Sequence, residues 1–330
     1  AERITGEELR LDTTAVETNI QYPADSSLLW DVYRVLARLV RAARESDPQA
    51  VGDRRLQEKT ARRHATSIGR MAGRKRGVHA TLKERYRALF DLVEGLLGWA
   101  DEVATTLRQG LGQEVYTDDG ALVAEAIALD LEHYLRLGRK VLDQAQRRVL
   151  FGEVVPATEK LFSIFEPHTE LLVRGKAGKP VEFGHMVFLQ QVEAKYISDY
   201  EVFARKPNER KLVDPALLSH GDLFGAGPTT LSADKGFYES VEQLDRLGET
   251  IDVVSIGKQG RRTEREARRE HAAAYRAAQR FRAGIEGSIY FLKRALRLAR
   301  CFNKGWEHFV ATVGATVFAH NLLVLARGYG

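Results

Sequence analysis

Three carboxylates stand in settings suited to holding a hard divalent cation. Asp12 lies in LRLDTTAVETN, Asp234 in SADKGFYES and Glu286 in RFRAGIEGSIYFLKR. The first aspartate ends an alternating, strand-like run. The second ends another extended stretch and is followed by a glycine turn. The glutamate sits in a helical stretch, with Arg282 four residues before it and Lys293 seven residues after it. At 100° per residue these three side chains project within about 40° of one another, on one helical face. A carboxylate between two cations is a poor core design and suits a site for metal and phosphate. Phosphodiester cleavage must activate water and stabilise an oxyanion leaving group, and two divalent ions about 3.5–4 Å apart can do both. Mg²⁺ prefers oxygen ligands and keeps several waters, so two or three carboxylates suffice.

Each island alone reads as ordinary structure. An aspartate after a strand is most often a turn or cap residue, and a glutamate near a lysine on a helix usually belongs to a solvated face. The conjunction favours a shared site, because all three acids occur on elements that could converge. Glu17, Asp25, Asp199 and Asp214 are weaker candidates. Asp214, before Pro215, reads as a helix N-cap, and Glu17 as at most a neighbour of Asp12. His185 and His320 lie in apolar surroundings and read as satisfied core residues. No HExxH or paired-histidine spacing occurs, which argues against a zinc hydrolase.

The elements needed to position the acids follow from periodicity. Residues 7–20 read as a strand. From there to about 165 the pattern is almost all helical: 27–46, 53–72, 79–109, 118–150 and 156–165, with the basic link MAGRKRG between the second and third. After Pro167 the character changes. Strands are expected over 170–174, 181–190 and 195–203, a helix over 214–224, and a strand over 229–233 leading into Asp234. A helix over 237–247, a strand over 251–256, one or two helices over 261–300 and a closing helix over 304–327 complete the chain. The stretch 309–326 is apolar but contains His320, Asn321 and two threonines, so a buried helix is favoured over a membrane span. The expected division is 1–24 as the first strand of a core, 25–165 as a helical insertion, and 166–330 as the rest of the core.

The chain has 330 residues, 44% hydrophobic and 29% charged, with 50 Lys and Arg against 45 Asp and Glu. That composition supports a buried core. The distribution of charge says more than its sum. From Asp53 to Arg87 there are 12 Lys or Arg and three Asp or Glu. Such a segment suits a polyanion, and arginines there, including Arg62, Arg63, Arg74 and Arg76 with Lys75, would contact phosphates without reading sequence. GKAGK (175–179) lacks the P-loop pattern and reads as a basic hairpin turn. GKQGRRTEREARRE (257–270), with Arg261 and Arg262, could line a DNA path or form an exposed, ion-paired helix start. The single cysteine, Cys301, excludes an intramolecular disulfide and any multi-cysteine zinc site.

In chain order and local wording, the three islands resemble the D…D…E triad of bacterial insertion-sequence DDE transposases, and within them the ISNCY group. The Arg-x3-Glu-x6-Lys spacing at Arg282, Glu286 and Lys293 matches the signature around that family's third acid. A Tyr usually stands three residues before the Arg; here the position is Gln279, with Tyr275 and Tyr290 nearby. The resemblance runs from about residue 8 to the C-terminus and is weakest between about 30 and 165. It implies an α/β (α+β) fold: a ribonuclease-H-like mixed sheet flanked by helices, with a large all-helical insertion after the first strand. Strand one would then lie beside the strand ending at Asp234, and a helix crossing the sheet edge would deliver Glu286.

The same resemblance implies Asp12, Asp234 and Glu286 as catalytic metal ligands for two Mg²⁺ ions, with Mn²⁺ as a substitute. Arg282, Lys293 and Lys235 would lie beside the scissile DNA. The implied activity is cleavage at transposon ends followed by strand transfer into target DNA. A homodimer on paired double-stranded DNA, in the bacterial cytoplasm at the nucleoid and without a membrane, is implied too. Family members usually carry a helix-turn-helix region before the first aspartate, so a fragment or the product of an incomplete gene is expected, with end recognition impaired. Two rivals remain open. One is a ribonuclease-H-like nuclease that only hydrolyses, which joined products would exclude. The other is a truncated or domesticated DNA-binding protein without catalysis, which metal-dependent nicking would exclude.

Overall fold

The computed structural model describes residues 4–72, 79–176 and 179–328. Among them are seven strands of one sheet and ten α-helices. The chain divides into two compact units, Ala1–Asn19 with Glu170–Gly330, and Ile20–Thr169.

The first unit is built around β1 (Glu8–Thr18), in which side chains alternate between two cores. Leu9 and Leu11 bury with Leu231, Ala233, Phe237 and Ile256 on one face. Val16 buries with Ile285, Leu292, Phe309 and Val313. β2 (Glu170–Lys176), β3 (Lys179–Gln191), β4 (Ile197–Val202), β5 (Thr230–Ala233), β6 (Val253–Ile256) and the two-residue β7 (Arg300–Cys301) complete the sheet. The order is β2-β3-β1-β5-β6, with β4 also on β3 and β7 on β1. β1 runs antiparallel to β3 and parallel to β5, and β5 runs parallel to β6. This half meander, half parallel arrangement makes β1 central, and it is why so short a segment of chain carries so much of the core.

Helices α6 (Val213–Phe224), α7 (Val241–Leu247), α8 (Glu264–His271), α9 (Ala273–Arg294) and α10 (Trp306–Gly328) belong to the same unit. α10 is buried on one face only. Phe309, Val313 and Val317 pack inward, and Asn321 brackets Ile197 of β4, accepting from its N–H at 3.0 Å and donating to its carbonyl at 2.8 Å. Its outer face exposes Phe318 and Leu322. The helix expected to be buried is therefore buried along one narrow stripe, with 22% of its apolar stretch inside. His185 and His320 are core residues, as expected; His185 Nδ1 pairs with the Phe203 carbonyl and His320 Nε2 with that of Lys195, while His320 Nδ1 is buried without a hydrogen-bond partner among the described residues.

The second unit is a helical bundle of α1 (Asp25–Ser46), α2 (Pro48–Val51), α3 (Glu58–Ala72), α4 (His79–Gly112) and α5 (Asp118–Leu150). Its core is Leu- and Val-rich, drawn from all five helices and closed by Leu161 and Ile164. α5 starts on Thr117, whose hydroxyl caps Gly120 N–H.

Several boundaries differ from the periodicity, each for a local reason. Residues 156–165 hold only a 3-10 turn, Ala157–Glu159. There Ser163 Oγ takes the N–H groups of Phe165 and Glu166, competing with helical bonding. The segment before α3 is not helical, because Arg44 holds the carbonyls of Gly52 and Arg54 while Tyr33 Oη accepts from Gln57 N. The expected 237–247 helix is a 3-10 turn, Lys235–Phe237, then α7 capped by Ser240. The long stretch 261–300 breaks at Ala272, which is extended at φ −62°, ψ 144°. Asp214 is not an N-cap. α6 starts from Leu212, and Asp214 pairs with Arg246 at 2.8 Å.

Gly184 of β3 sits opposite Glu17, and a Cβ there would lie 2.0 Å from the Val16 carbonyl oxygen. That neighbour is backbone and cannot swing away. Gly184→Ala is therefore expected to destabilise the sheet unit by about 3 kcal/mol, read as a lowered midpoint in urea. An unchanged midpoint would show that β1 and β3 can part there at little cost.

Candidate active site

The β1–β5 ladder creates the site. Its parallel register runs Glu8–Thr230, Leu9–Leu231, Arg10–Ser232 and Leu11–Ala233. The next residue on each strand is Asp12 and Asp234, so backbone pairing alone brings two acids from opposite ends of the sequence to one sheet edge. Asp12 Oδ1 accepts the Thr13 N–H at 2.7 Å. Asp234 caps the following 3-10 turn, its Oδ1 accepting from Gly236 N at 2.6 Å. The turn role that an isolated aspartate suggests is thus real for Asp234, and it coexists with the pairing.

α9 supplies the rest. It is fixed to the sheet at four points. Gln279 Nε2 donates to Ser255 O at 2.8 Å on β6. The guanidinium of Arg10 reaches the Phe281 carbonyl and stacks on its ring, 4.3 Å from the centroid. Ser288 Oγ donates to Gln191 Oε1 at 3.3 Å on β3. Lys293 Nζ donates to the Ala15 carbonyl of β1 at 2.6 Å. Gly284 is needed here, since a Cβ would stand 2.3 Å from Arg10 Nη1. Held this way, α9 presents Arg282 to Asp12 at 3.8 Å and to Glu286 at 3.0 Å.

The electrostatics follow. Burial raises the Asp12 carboxyl to about 6, against a usual 3.8. The Thr13 N–H opposes the rise, the Asp234 charge adds to it, Arg282 opposes it and Glu286 adds again. The other two acids thus both act on Asp12. Their exposures differ: the Asp12 side chain is 15% exposed and the Glu286 side chain 64%. Among the described residues, no three His, Cys, Asp or Glu side chains are already arranged to hold one ion. Glu286 is turned toward the guanidinium instead.

The other residues singled out in the sequence fall in different places. Lys235 is exposed directly after Asp234. Arg262 pairs with Glu270 at 2.7 Å, while Arg261 is exposed at the start of the same loop. Glu17 pairs with Arg300 at 2.9 Å. Tyr275 is buried beneath the β6 end and Tyr290 is exposed. Arg62 and Arg63, with Lys59 and Arg70, line a groove of about 710 Å³ along α3 in the helical unit. Arg74, Lys75, Arg76 and the turn of GKAGK lie outside the described residues. The sequence reading missed Glu209, whose carboxylate accepts the Thr13 hydroxyl. It lies in a charged loop, ERK, without periodicity or motif to mark it. Arg10 was missed as well, since a lone arginine in a strand gives no sign of a partner far along the chain.

A mixed α/β sheet, two aspartates at the end of a parallel pair and a glutamate on a crossing helix are consistent with the ribonuclease-H-like fold of transposases. Residues 177–322 match the transposase DDE domain family. The matched segment includes Asp234, Arg282, Glu286 and Lys293. It supports a DDE transposase, an enzyme acting on DNA. No curated protein and no solved structure matches the chain.

Because the folded Asp12 carboxyl titrates near 6 and the unfolded one near 3.8, the fold binds more protons than the unfolded chain between those values. Stability therefore falls as pH rises through that window and stays lower above it. In metal-free buffer, Asp12→Asn is expected to be more stable than the parent at about pH 7.5 by on the order of 2 kcal/mol, with the gap closing by about pH 4. Thermal melts across pH check this, and a gap independent of pH would contradict it.

Proposed function

We propose that this chain carries the catalytic core of a DDE transposase of the ISNCY type. In this reading it cleaves one DNA strand at each transposon end and joins the freed 3′-hydroxyl to target DNA. The observation that carries it is the placing of Asp12 and Asp234 side by side by the β1–β5 register, with Glu286 brought to the same edge by α9.

Divalent ions are generally used by this family, and the donor set suits them. Asp12, Asp234 and Glu286 offer only hard oxygen ligands, which match Mg²⁺ and its substitute Mn²⁺. Bound there, such ions would stabilise developing phosphate charge and lower the pKa of attached water. The protein's own part is legible. Asp12 must be ionised to act as a ligand; burial chiefly, and then the neighbouring acids, oppose that, and a cation placed among the acids would favour it. Arg282 is mostly buried and offers a planar fork suited to a phosphate. A phosphate there competes with Glu286 for the guanidinium, and the exposed glutamate then has room to turn toward the aspartates. Lys293 steadies the end of β1 through the Ala15 carbonyl and lies on the same helix face.

The helical unit would supply non-specific affinity for double-stranded DNA. Arg54, Arg108, Arg139 and Arg147 of that unit are ion-paired with acids. Among the described residues, Lys59, Arg62, Arg63 and Arg70 on the α3 groove form no ion pair, leaving a cationic stripe for a phosphate backbone. We place the protein in the bacterial cytoplasm, acting as a homodimer on paired ends.

Crystals soaked in Mn²⁺ and read by anomalous scattering test the centre without a guess at the DNA. Density shared by Asp12 and Asp234, and lost in Asp12→Asn, is expected. Peaks only elsewhere would sink the reading. For the helical unit, Arg62→Ala with Arg63→Ala is expected to weaken duplex binding equally across sequences and to lower the slope of log K against log salt by about 2. An unchanged slope would remove α3 from the DNA path.

A further inference from the structure

We propose that Glu209 is a positioning residue for the paired aspartates, acting through Thr13 on one side and the Gly236 turn on the other. The inference rests on the reading of Asp12 and Asp234 as the metal-holding pair.

Glu209 opens a 3-10 turn, Glu209–Lys211, that is held from several directions. Asn208 Oδ1 accepts the Arg210 N–H at 3.3 Å, and the Glu209 carbonyl accepts Leu212 N at 3.1 Å. Lys211 is ion-paired with Glu239, just beyond the Asp234 turn. The carboxylate so placed has two contacts. One oxygen accepts the hydroxyl of Thr13, a residue only 7% exposed, whose own N–H donates to Asp12 Oδ1 at 2.7 Å. The other oxygen lies over Gly236. A Cβ on that residue would stand 2.4 Å from Glu209 Oε2 and 2.9 Å from Asp234 Oδ1. The Gly236 N–H in turn donates to Asp234 Oδ1 at 2.6 Å.

A single side chain therefore hydrogen-bonds the residue whose N–H serves Asp12 and lies close over the residue whose N–H serves Asp234. The hydrogen-bonded oxygen of each aspartate is held by its donor, and Glu209 adjoins both donor residues. These contacts account for a carboxylate at this place, as outer partners orient metal-binding side chains in general. Glu209 touches the neighbours of the ligands, so its effect is on ligand geometry, and a glutamine that keeps an acceptor oxygen should preserve it.

The test is Mn²⁺ binding to the full chain by titration calorimetry, with thermal melts as a fold control. Thr13→Val and Glu209→Ala are each expected to weaken Mn²⁺ binding roughly 10-fold, while Thr13→Ser and Glu209→Gln stay within about 2-fold of the parent. The double variant Thr13→Val with Glu209→Ala should be no weaker than the worse single variant, since both remove one interaction. Glu209→Gln as weak as Glu209→Ala would overturn positioning, because the charge itself would then matter. Parent-like binding in all four single variants would overturn it as well. If the parent binds Mn²⁺ no better than Asp12→Asn or Asp234→Asn, the failure belongs to the metal-pair reading beneath it.

Discussion

The register of β1 against β5 is the constraint on which the rest depends. Parallel pairing aligns Leu11 with Ala233, and the two strands then end their pairing with an aspartate each. A slip of one residue would turn Asp12 toward the opposite face, because side chains alternate along a strand. The register is fixed by burial. Leu9, Leu11, Leu231 and Ala233 all have to face the same core, and a slip would expose them. The apolar residues before the acids thus decide where the acids point. β3 reinforces this from the other side of β1 with eight paired positions, and Gly184 there lets the two backbones close up.

Charge is the second constraint, and it works against the fold. Burial and neighbouring acids push Asp12 toward its neutral form. Arg282 offsets part of this, and its position is set by Arg10, which anchors α9 at Phe281 from beneath. Arg10 is itself buried, and burial lowers its pKa to about 10. Two arginines on successive layers, one structural and one facing the acids, hold a helix against a cluster of negative charge. The stacking of Arg10 on Phe281 and the missing side chain at Gly284 explain how a guanidinium fits between a strand and a helix.

The strand–helix order and the run of helices between β1 and β2 were legible in the sequence, because alternation and helical spacing are local signals, whereas the three acids were singled out together through the family resemblance. Gln279 shows where legibility ends. As a departure from a family signature it reads as a missing tyrosine, yet in the fold it bridges α9 to the Ser255 carbonyl. Its role depends on a strand 24 residues earlier in sequence, and no pattern encodes that. Glu209 and Arg10 were invisible for the same reason. The helix ends were misplaced where side chains captured backbone groups, as Arg44 and Ser163 do, because such captures require residues that meet only after folding.

The division of the acids between backbone and side-chain control has a physical consequence. Asp12 and Asp234 are set by a ladder and by N–H donors one or two residues away, so they can move little. Glu286 is mostly exposed and is held at this edge by one ion pair with its helix neighbour. The carboxylate of that pair is open to solvent, although its arginine is mostly buried. Such a pair yields readily to a competing anion or cation, whereas displacing either aspartate would require breaking sheet structure. In the proposed reading, two fixed acids and one that turns would form a metal centre whose last ligand is recruited at small cost. The recruiting group must also satisfy Arg282, or a mostly buried guanidinium would be left facing Asp12 alone.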